Sequence, residues 1–219
     1  MKHILLALAV TLPSSASALC FCPECAFGFV RQYEVMSGSM KPTLEPGDCV
    51  ALMGRTDDIA LLRGMIVGVQ HPARDVVFLD RIIALGGDRI AIRDGMVILN
   101  GAPLRQEVAE PYHQPFEPDL NGAPPLCPDI TLLGDPCIIP RLTEVLPDGT
   151  RYDVLDTRQS TLDQIDEVTI PAGHVFVMGD HRDNSTDSRI PAGAGGLGIL
   201  SEEAVTGTFH RFIFQTPRP

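Results

Sequence analysis

The chain has 219 residues, of which 28 are acidic and 17 basic, so its formal net charge is −11. This surplus of negative charge argues against a protein that tracks nucleic-acid phosphates, because such a protein needs basic side chains. Hydrophobic residues make up 44%, which argues against a disordered chain, and 20 glycines with 19 prolines favour many turns and a mainly β fold.

The N-terminus resembles a targeting segment. A basic start, the apolar run Ile4–Val10 and the small residues Ala16–Ala18 form the three-part pattern of a Sec signal peptide, which predicts cleavage after residues 1–18. The alternative is an uncleaved membrane anchor over residues 4–30, where Glu24 is the one charged side chain. Both interpretations place the rest of the chain outside the cytoplasm.

Six cysteines are consistent with an oxidising compartment. Cys127 and Cys137 lie close together in a Pro/Gly-rich stretch, so we predict a local disulfide between them. A C-x-C-x-x-C cluster near the N-terminus could bind zinc or exchange thiols, but no second ligand pair accompanies it, and structural disulfides are favoured. We interpret Cys49 as a small buried hydrophobe. The pairing of four cysteines stays open: Cys20, Cys22, Cys25 and Cys49.

Short strands dominate both ends of the chain. Apolar runs bounded by turn residues predict strands at 50–53, 65–69, 76–79 with 82–85, 90–93, 96–99, 174–178 and 204–214. Asp94-Gly95 between two such runs predicts a two-residue hairpin. We expect one β-core from residues 31–100 and 169–219. Residues 101–168 are rich in proline and poor in periodicity, which indicates an inserted, loop-rich β subdomain.

Two segments are suited to chemistry. The first, S-G-S-M-K-P-T-L at 37–44, is either a plain turn or an exposed pair of hydroxyls that act as nucleophile and oxyanion donor. The second, G-D-H-R-D-N-S-T-D-S-R at 179–189, is dense in polar groups and predicts a hydrogen-bonded network or a metal-binding loop.

Together with R-G-M-I-V at 63–67 and R-I-I-A-L-G-G-D at 81–88, these segments resemble the type I signal peptidases of the Ser–Lys serine peptidase family. The four motifs stand in the family's order. The resemblance implies an all-β fold of the signal peptidase/LexA-like kind, with the insert as a second, non-catalytic β subdomain.

The resemblance also implies roles for single residues. Ser39 matches the nucleophile, and Ser37 matches the hydroxyl that completes the oxyanion hole. Ser185 matches the serine that orients the base, while Asp187 and Arg189 match a supporting polar pair.

A structural ion pair and a peptide groove are implied in the same way. Arg81 and Asp180 match the ion pair. The groove would bind an extended peptide by strand addition and select Ala-x-Ala sequences. Its substrate-binding residues would be Tyr33, Val35, Met36, Val77 and Leu79.

The sequence departs from the family at the general base, because Asp80 occupies the position of the family's lysine. A buried lysine of depressed pKa accepts a serine proton, whereas an ordinary aspartate of pKa ~3.9 is a weaker base. Three compensations are open: a neighbouring Asp187 that raises the pKa of Asp80, or a replacement base at Lys41 or at His181.

Two hypotheses therefore remain. The chain is a serine endopeptidase that cleaves signal-peptide-like segments of exported proteins, or a catalytically silent relative that only binds them. A variant of the first is a soluble periplasmic peptidase that matures one pilin-like substrate. We expect no cofactor, no metal and no nucleic acid, and a monomer at the membrane surface of a bacterial cell envelope, on the periplasmic face of the inner membrane or soluble in the periplasm.

Overall fold

The computed structural model describes residues 20, 25, 28, 30–56, 59–119, 122–129 and 131–218. The signal peptide predicted for residues 1–18 and most of the alternative anchor at 4–30 lie outside the described residues, as does Cys22. Within the described ranges, no helix combines the length and the apolar character that crossing a bilayer requires.

The described chain is built from β-strands joined by turns and single turns of 3₁₀-helix. The strands, in chain order, are β1 (Val30–Glu34), β2 (Cys49–Gly54), β3 (Ile66–Gln70), β4 (Val77–Leu85), β5 (Arg89–Arg93), β6 (Met96–Leu99), β7 (Ala102–Pro103), β8 (Arg105–Val108), β9 (Tyr112–Pro115), β10 (Pro136–Ile139), β11 (Arg141–Val145), β12 (Arg151–Leu155), β13 (Gln164–Thr169), β14 (His174–Met178), β15 (Leu200–Ser201) and β16 (Val205–Phe214). The all-β class predicted from the sequence is confirmed.

The strands form one large antiparallel sheet and three smaller ones. The large sheet has the order β1-β2-β16-β3-β4-β14-β15, so β2 lies between β1 at the start of the described strands and β16 at their end. The others are β13-β5-β6-β7, β12-β11-β8 and β10-β9. The runs predicted at 76–79 and 82–85 form one continuous strand, β4, because Asp80 and Arg81 between them are buried rather than placed in a turn.

The hairpin between β5 and β6 follows from its turn residues. Asp94 and Gly95 have φ of 51° and 77°, the left-handed conformation that a tight two-residue turn between twisted strands requires. Ile90, Ile92 and Val97 of this hairpin are at most 1% exposed and pack into the largest apolar cluster. Both strands of the hairpin therefore contribute apolar side chains to the core, and the central residues Ile90, Ala91 and Ile92 of β5 are all buried.

The segment 101–168 contains more regular structure than its proline-rich, weakly periodic sequence suggests. It forms β7 to β13, in pieces of two to six residues. β13 pairs with β5, and Leu104, Leu146 and Val154 lie in the same apolar cluster as Ile83 of β4. The segment therefore packs directly on the strands that support the site described below.

Two disulfides link described cysteines. Cys127 and Cys137 are bonded across a separation of 10 residues, the local pair that the spacing predicts. Cys20 is bonded to Cys49 across 29 residues. Cys49 is buried, at 1% exposed, as the sequence suggested. The interpretation of Cys49 as a plain hydrophobe is wrong, because its sulfur forms a disulfide. Its bond fastens the segment before β1 to β2.

Candidate active site

The segment around Ser39 is a tight turn anchored by buried apolar side chains. Gly38–Met40 form one turn of 3₁₀-helix shortly after β1. Met40 and Leu44 are buried and hold the turn against the core, while Ser39 stays partly exposed. The hydroxyl oxygens of Ser37 and Ser39 are 3.1 Å apart. The turn therefore presents two neighbouring hydroxyls at the surface.

The polar loop at 179–189 lies directly against this turn. The backbone N–H of His181 donates to the carbonyl oxygen of Ser39 at 2.9 Å. A Cβ on Gly179 would clash with Ser185 Oγ and stand 2.7 Å from the Ser39 carbonyl oxygen. Glycine is required there, because a side chain would push Ser185 and Ser39 apart. Two segments remote in sequence thus meet at one place.

Arginine side chains hold two acids of this loop. Arg81 donates from Nε and Nη2 to the two Asp180 carboxylate oxygens at 2.8 and 2.6 Å. Arg189 donates to both oxygens of Asp187 at 2.9 and 2.8 Å. Gly179 N–H adds a third donor to Asp187 at 3.1 Å. Since all four charged side chains are buried, these bidentate pairs fix the shape of the loop.

A third buried pair was missed by the sequence analysis. Arg182 donates to the carboxylate of Glu144 on β11 at 2.8 and 2.5 Å. Tyr152 O–H and Gln106 N–H also donate to Glu144, at 2.9 and 3.1 Å. Arg182 belongs to the 179–189 motif, but no local pattern marks its partner, because Glu144 is one of several acids in a polar segment. The pair joins the 101–168 segment to the loop that contains Ser185.

Asp80 differs from the acids of these pairs. Its side chain is 2% exposed, and Oδ2 has no hydrogen-bond partner among the described residues. Burial, followed by the nearby charges of Asp187 and Asp180, raises the pKa of Asp80 well above its usual value of 3.8, against smaller opposing effects of Arg189 and Ser185. Ser185 Oγ is close enough to stabilise the charged form, yet outside hydrogen-bond geometry and itself without a partner in the described structure.

Ser39, Asp80 and Ser185 face one groove of about 740 Å³. The groove runs between the end of β1 and the first half of β4. Val77–Asp80 pair with β3 on one side, and β14 pairs with β4 only from Arg81 onward. The other edge of Val77–Asp80 is therefore open among the described strands. All the residues predicted to bind substrate line this groove: Tyr33, Val35, Met36, Val77 and Leu79.

The Lys41 side chain makes its contacts in a different groove from the one that contains Ser39. Its Nζ donates to Gln114 Oε1 at 2.5 Å and lies 3.3 Å from Glu45 Oε2. It lines a second groove of about 600 Å³ that also contains Tyr112. Because these contacts hold the amine in the second groove, the geometry does not favour Lys41 as the base for Ser39.

His181 also lines the second groove. Its ring is buried, and burial lowers its pKa to about 4, with the charge of Lys41 acting in the same direction and Asp183 opposing. The imidazole is therefore neutral at neutral pH. Its backbone, rather than its ring, contacts Ser39, so the geometry does not favour His181 as the base either.

The described residues contain no group of three or more His, Cys, Asp or Glu side chains placed to hold a metal ion. Asp180 and Asp187 of the 179–189 loop are bound to arginines instead, and Asp183 accepts hydrogen bonds from the backbone N–H groups of Thr157 and Arg158.

Comparison with known proteins places the chain in a family. The model of the signal peptidase, peptidase S26, family matches residues 9–214, and the chain belongs to that family. It is 29% identical over 173 residues to a signal peptidase I of Bacillus caldolyticus, covering 78% of this chain and 76% of the relative. It is 28% identical over 183 residues to signal peptidase I T of Bacillus subtilis, covering 83% and 72%.

Among solved structures, the chain is similar to a signal peptidase I from Enterococcus faecalis. That similarity has a TM-score of 0.37 and 18% sequence identity, and it covers 69% of this chain and 98% of the other.

Proposed function

We propose that the chain is a serine endopeptidase of the signal peptidase I kind, which cleaves signal-peptide-like segments of exported proteins after small residues. The supporting observation is that Ser39 lies against the 179–189 loop in a strand-lined groove that also contains Asp80. Family membership supports the substrate class, because the relatives are signal peptidases. The setting we propose is a bacterial cell envelope, where a monomer acts at the membrane surface on the periplasmic face or free in the periplasm.

The substrate is proposed to bind as an added strand. The open edge of Val77–Asp80 offers unpaired backbone groups to an extended peptide, and Tyr33 to Met36 line the opposite wall. Side chains at alternate positions of such a peptide point into the groove. The groove wall there includes Val35, Val77 and Leu79, which leaves small apolar side chains as the favoured occupants.

Catalysis would begin at Ser39. Its Oγ attacks the scissile carbonyl carbon, and the carbonyl oxygen becomes an oxyanion. Ser37 Oγ, which lies 3.1 Å from Ser39 Oγ, and the backbone N–H of Ser39 would donate to that oxyanion. The turn is anchored by buried Met40, so these donors need little rearrangement when the substrate binds.

Asp80 is the proposed base. A carboxylate accepts a proton only when it is deprotonated, and the raised pKa makes the Asp80 carboxylate a stronger base than an ordinary aspartate. Ser185 would orient it, and Asp187 with Arg189 would hold Ser185 and the loop in place. Activity should therefore rise with pH through the raised pKa of Asp80 and fall on acidification.

The test is cleavage of a fluorogenic Ala-x-Ala reporter peptide by wild type, Ser39→Ala, Asp80→Lys and the matched control Ser201→Ala. Ser201 lies on β15, at the far edge of the large sheet. We expect cleavage by wild type and the control, and a loss of ~10³ or more in kcat/KM in Ser39→Ala. Equal cleavage by all four proteins would show that a contaminating protease is responsible and that Ser39 is not the nucleophile.

A second candidate function is peptide binding without cleavage. The observation in its favour is that the acid at position 80 is buried with a raised pKa, while Lys41 and His181 belong to the other groove. An inactive wild type that gains cleavage in Asp80→Lys would support this alternative, provided that fluorescence anisotropy shows the wild type binding the same peptide.

A further inference from the structure

The arginines around the site leave one buried acid without a cation. Asp180 is bound by Arg81, and Asp187 is bound by Arg189. Asp80 lies near the same charges, but no described arginine or lysine forms an ion pair with it. A buried carboxylate without a counter-charge is unfavourable, so the site requires either a proton or a cation from outside.

Two buried oxygen atoms at this place lack partners. Asp80 Oδ2 and Ser185 Oγ are both inaccessible and without a hydrogen bond within the described structure. Their residues line the same groove as Ser39, so a ligand in the groove lies beside both side chains and reaches the two covered oxygens after a small shift of the groove wall. Buried polar atoms are nearly always satisfied in native proteins, and a ligand in the groove can supply the partner that this pair of oxygens lacks. Both oxygens can accept a hydrogen bond, so a ligand with several N–H donors can satisfy them together.

We propose that this groove contains a binding site for a primary ammonium group, held between the Asp80 carboxylate and the Ser185 hydroxyl beside Ser39. An ammonium carries three N–H donors and a compact positive charge, which satisfies both orphaned oxygens and neutralises Asp80 together. The group is either a lysine side chain of the bound peptide or a small free amine. The peptide source rests on the proposed function, whereas ammonium binding itself does not.

Binding is linked to the proton on Asp80. The groups that act on this carboxyl are Asp187 and Asp180, which favour its protonated form, and Arg189 and Ser185, which oppose them. An ammonium has to displace the proton, and its own pKa of ~10.4 keeps it charged throughout. Below the pKa of Asp80, the affinity should therefore rise about tenfold for each pH unit.

The first arm of the test measures free cations on the full chain. Methylammonium chloride, tetramethylammonium chloride and sodium chloride are compared at equal ionic strength, by thermal unfolding and by calorimetric titration. We expect a saturable rise in Tm with methylammonium alone, because tetramethylammonium has no N–H donor. The effect should disappear in Asp80→Asn, weaken in Ser185→Ala and persist in Asp129→Asn, an exposed acid outside the groove.

The second arm identifies the source of the amine. A lysine is scanned through the positions of the reporter peptide, with norleucine as the matched apolar residue. An affinity at least tenfold higher for lysine at one position, lost in Asp80→Asn, assigns the site to the peptide. Methylammonium binding without a lysine preference assigns it to a free amine.

Equal Tm shifts with all three salts, or ammonium binding that survives in Asp80→Asn, would overturn the inference. Ammonium binding in a protein that never cleaves or binds peptides would overturn only the proposed function. Peptide cleavage without Asp80-dependent ammonium binding would overturn only this inference.

Discussion

Glu144 and Asp80 are both acids buried in the interior, yet their surroundings shift their pKa values in opposite directions. Glu144 accepts four hydrogen bonds, from Arg182, Tyr152 and Gln106, and the Arg182 charge lowers its pKa despite the opposing effect of burial. Asp80 lacks such donors, and burial with two neighbouring acids raises its pKa. Burial alone therefore does not decide the state of a carboxyl here; the supply of donors does.

The two acids therefore have different roles: Glu144 is structural, whereas Asp80 lies at the proposed active site. The carboxylate of Glu144 has all its hydrogen-bond partners and joins β11 to the 179–189 loop. Its role is to hold the loop in position. Asp80 faces a groove beside Ser39 with an unsatisfied oxygen, and its surroundings leave it free to exchange a proton or bind a cation.

The largest effect on stability is expected from removing the Glu144 carboxylate, which is fully hydrogen-bonded. Glu144→Ala leaves the Arg182 guanidinium buried without its partner, and removal of one member of a buried pair costs about 3–5 kcal/mol. We expect this loss in the free energy of unfolding by urea at pH 7. Because the folded-state pKa of Glu144 is lowered, its contribution is present above the usual value of 4.5 and is lost as the pH falls through the folded value. A loss that does not shrink on acidification would contradict this assignment.

Asp80→Asn should act in the opposite direction. At pH values between the usual pKa of 3.8 and the raised pKa of the folded protein, Asp80 is more protonated in the folded protein than in the unfolded chain. The wild type therefore loses stability as the pH rises through this range. The asparagine stays neutral and should gain on the order of 1–3 kcal/mol over wild type at the top of the range. Urea unfolding from pH 4 to 9 measures the difference. A variant that is less stable by the same amount at every pH would refute this explanation.

Lys41→Met sharpens the distinction between the two grooves. Its amine contacts Gln114 and Glu45, so the substitution should cost about 1 kcal/mol of stability. It should leave kcat/KM for the reporter peptide within about twofold, because the amine belongs to the second groove. A fall of ~10² or more in kcat/KM with normal peptide binding would instead identify Lys41 as the base.

The smallest effect is expected at an exposed pair. Arg89 and Glu167 lie 3.4 Å apart, with side chains 53% and 47% exposed. Water screens such a pair, so Glu167→Gln should change the free energy of unfolding by less than about 0.5 kcal/mol. The change should vanish in high salt. If Glu167→Gln lowered the free energy of unfolding as much as Glu144→Ala does, and salt did not change that loss, the predicted difference between buried and exposed ion pairs would be contradicted.

Part of the fold and of the candidate site could be predicted from local sequence. The β5–β6 hairpin follows from Asp94-Gly95 between two short apolar runs, and Ser37 and Ser39 stand in a short motif whose turn is set by nearby glycine and proline. Tertiary partners could not be predicted in the same way. The bond between Cys20 and Cys49 spans 29 residues, and spacing alone does not choose it among the possible pairings.

The acid network lies beyond local patterns for the same reason. Glu144 and Arg182 are separated by 38 residues and meet only because strands of the 101–168 segment lie against the loop, where Leu155 of β12 bridges to His181. Likewise, the state of Asp80 depends on which of its neighbours already have arginines. That information exists only in three dimensions.

The most direct measurement is the pH titration of the Asp80 side-chain carboxyl by ¹³C NMR, with the resonance assigned by its disappearance in Asp80→Asn. Burial beside Asp187 and Asp180 predicts a midpoint well above the usual value of 3.8. It also predicts that the midpoint of reporter cleavage follows the same pH. An Asp80 carboxyl that titrates at or below about 4, as a solvated or arginine-paired aspartate does, would contradict the account of an uncompensated acid beside Ser39.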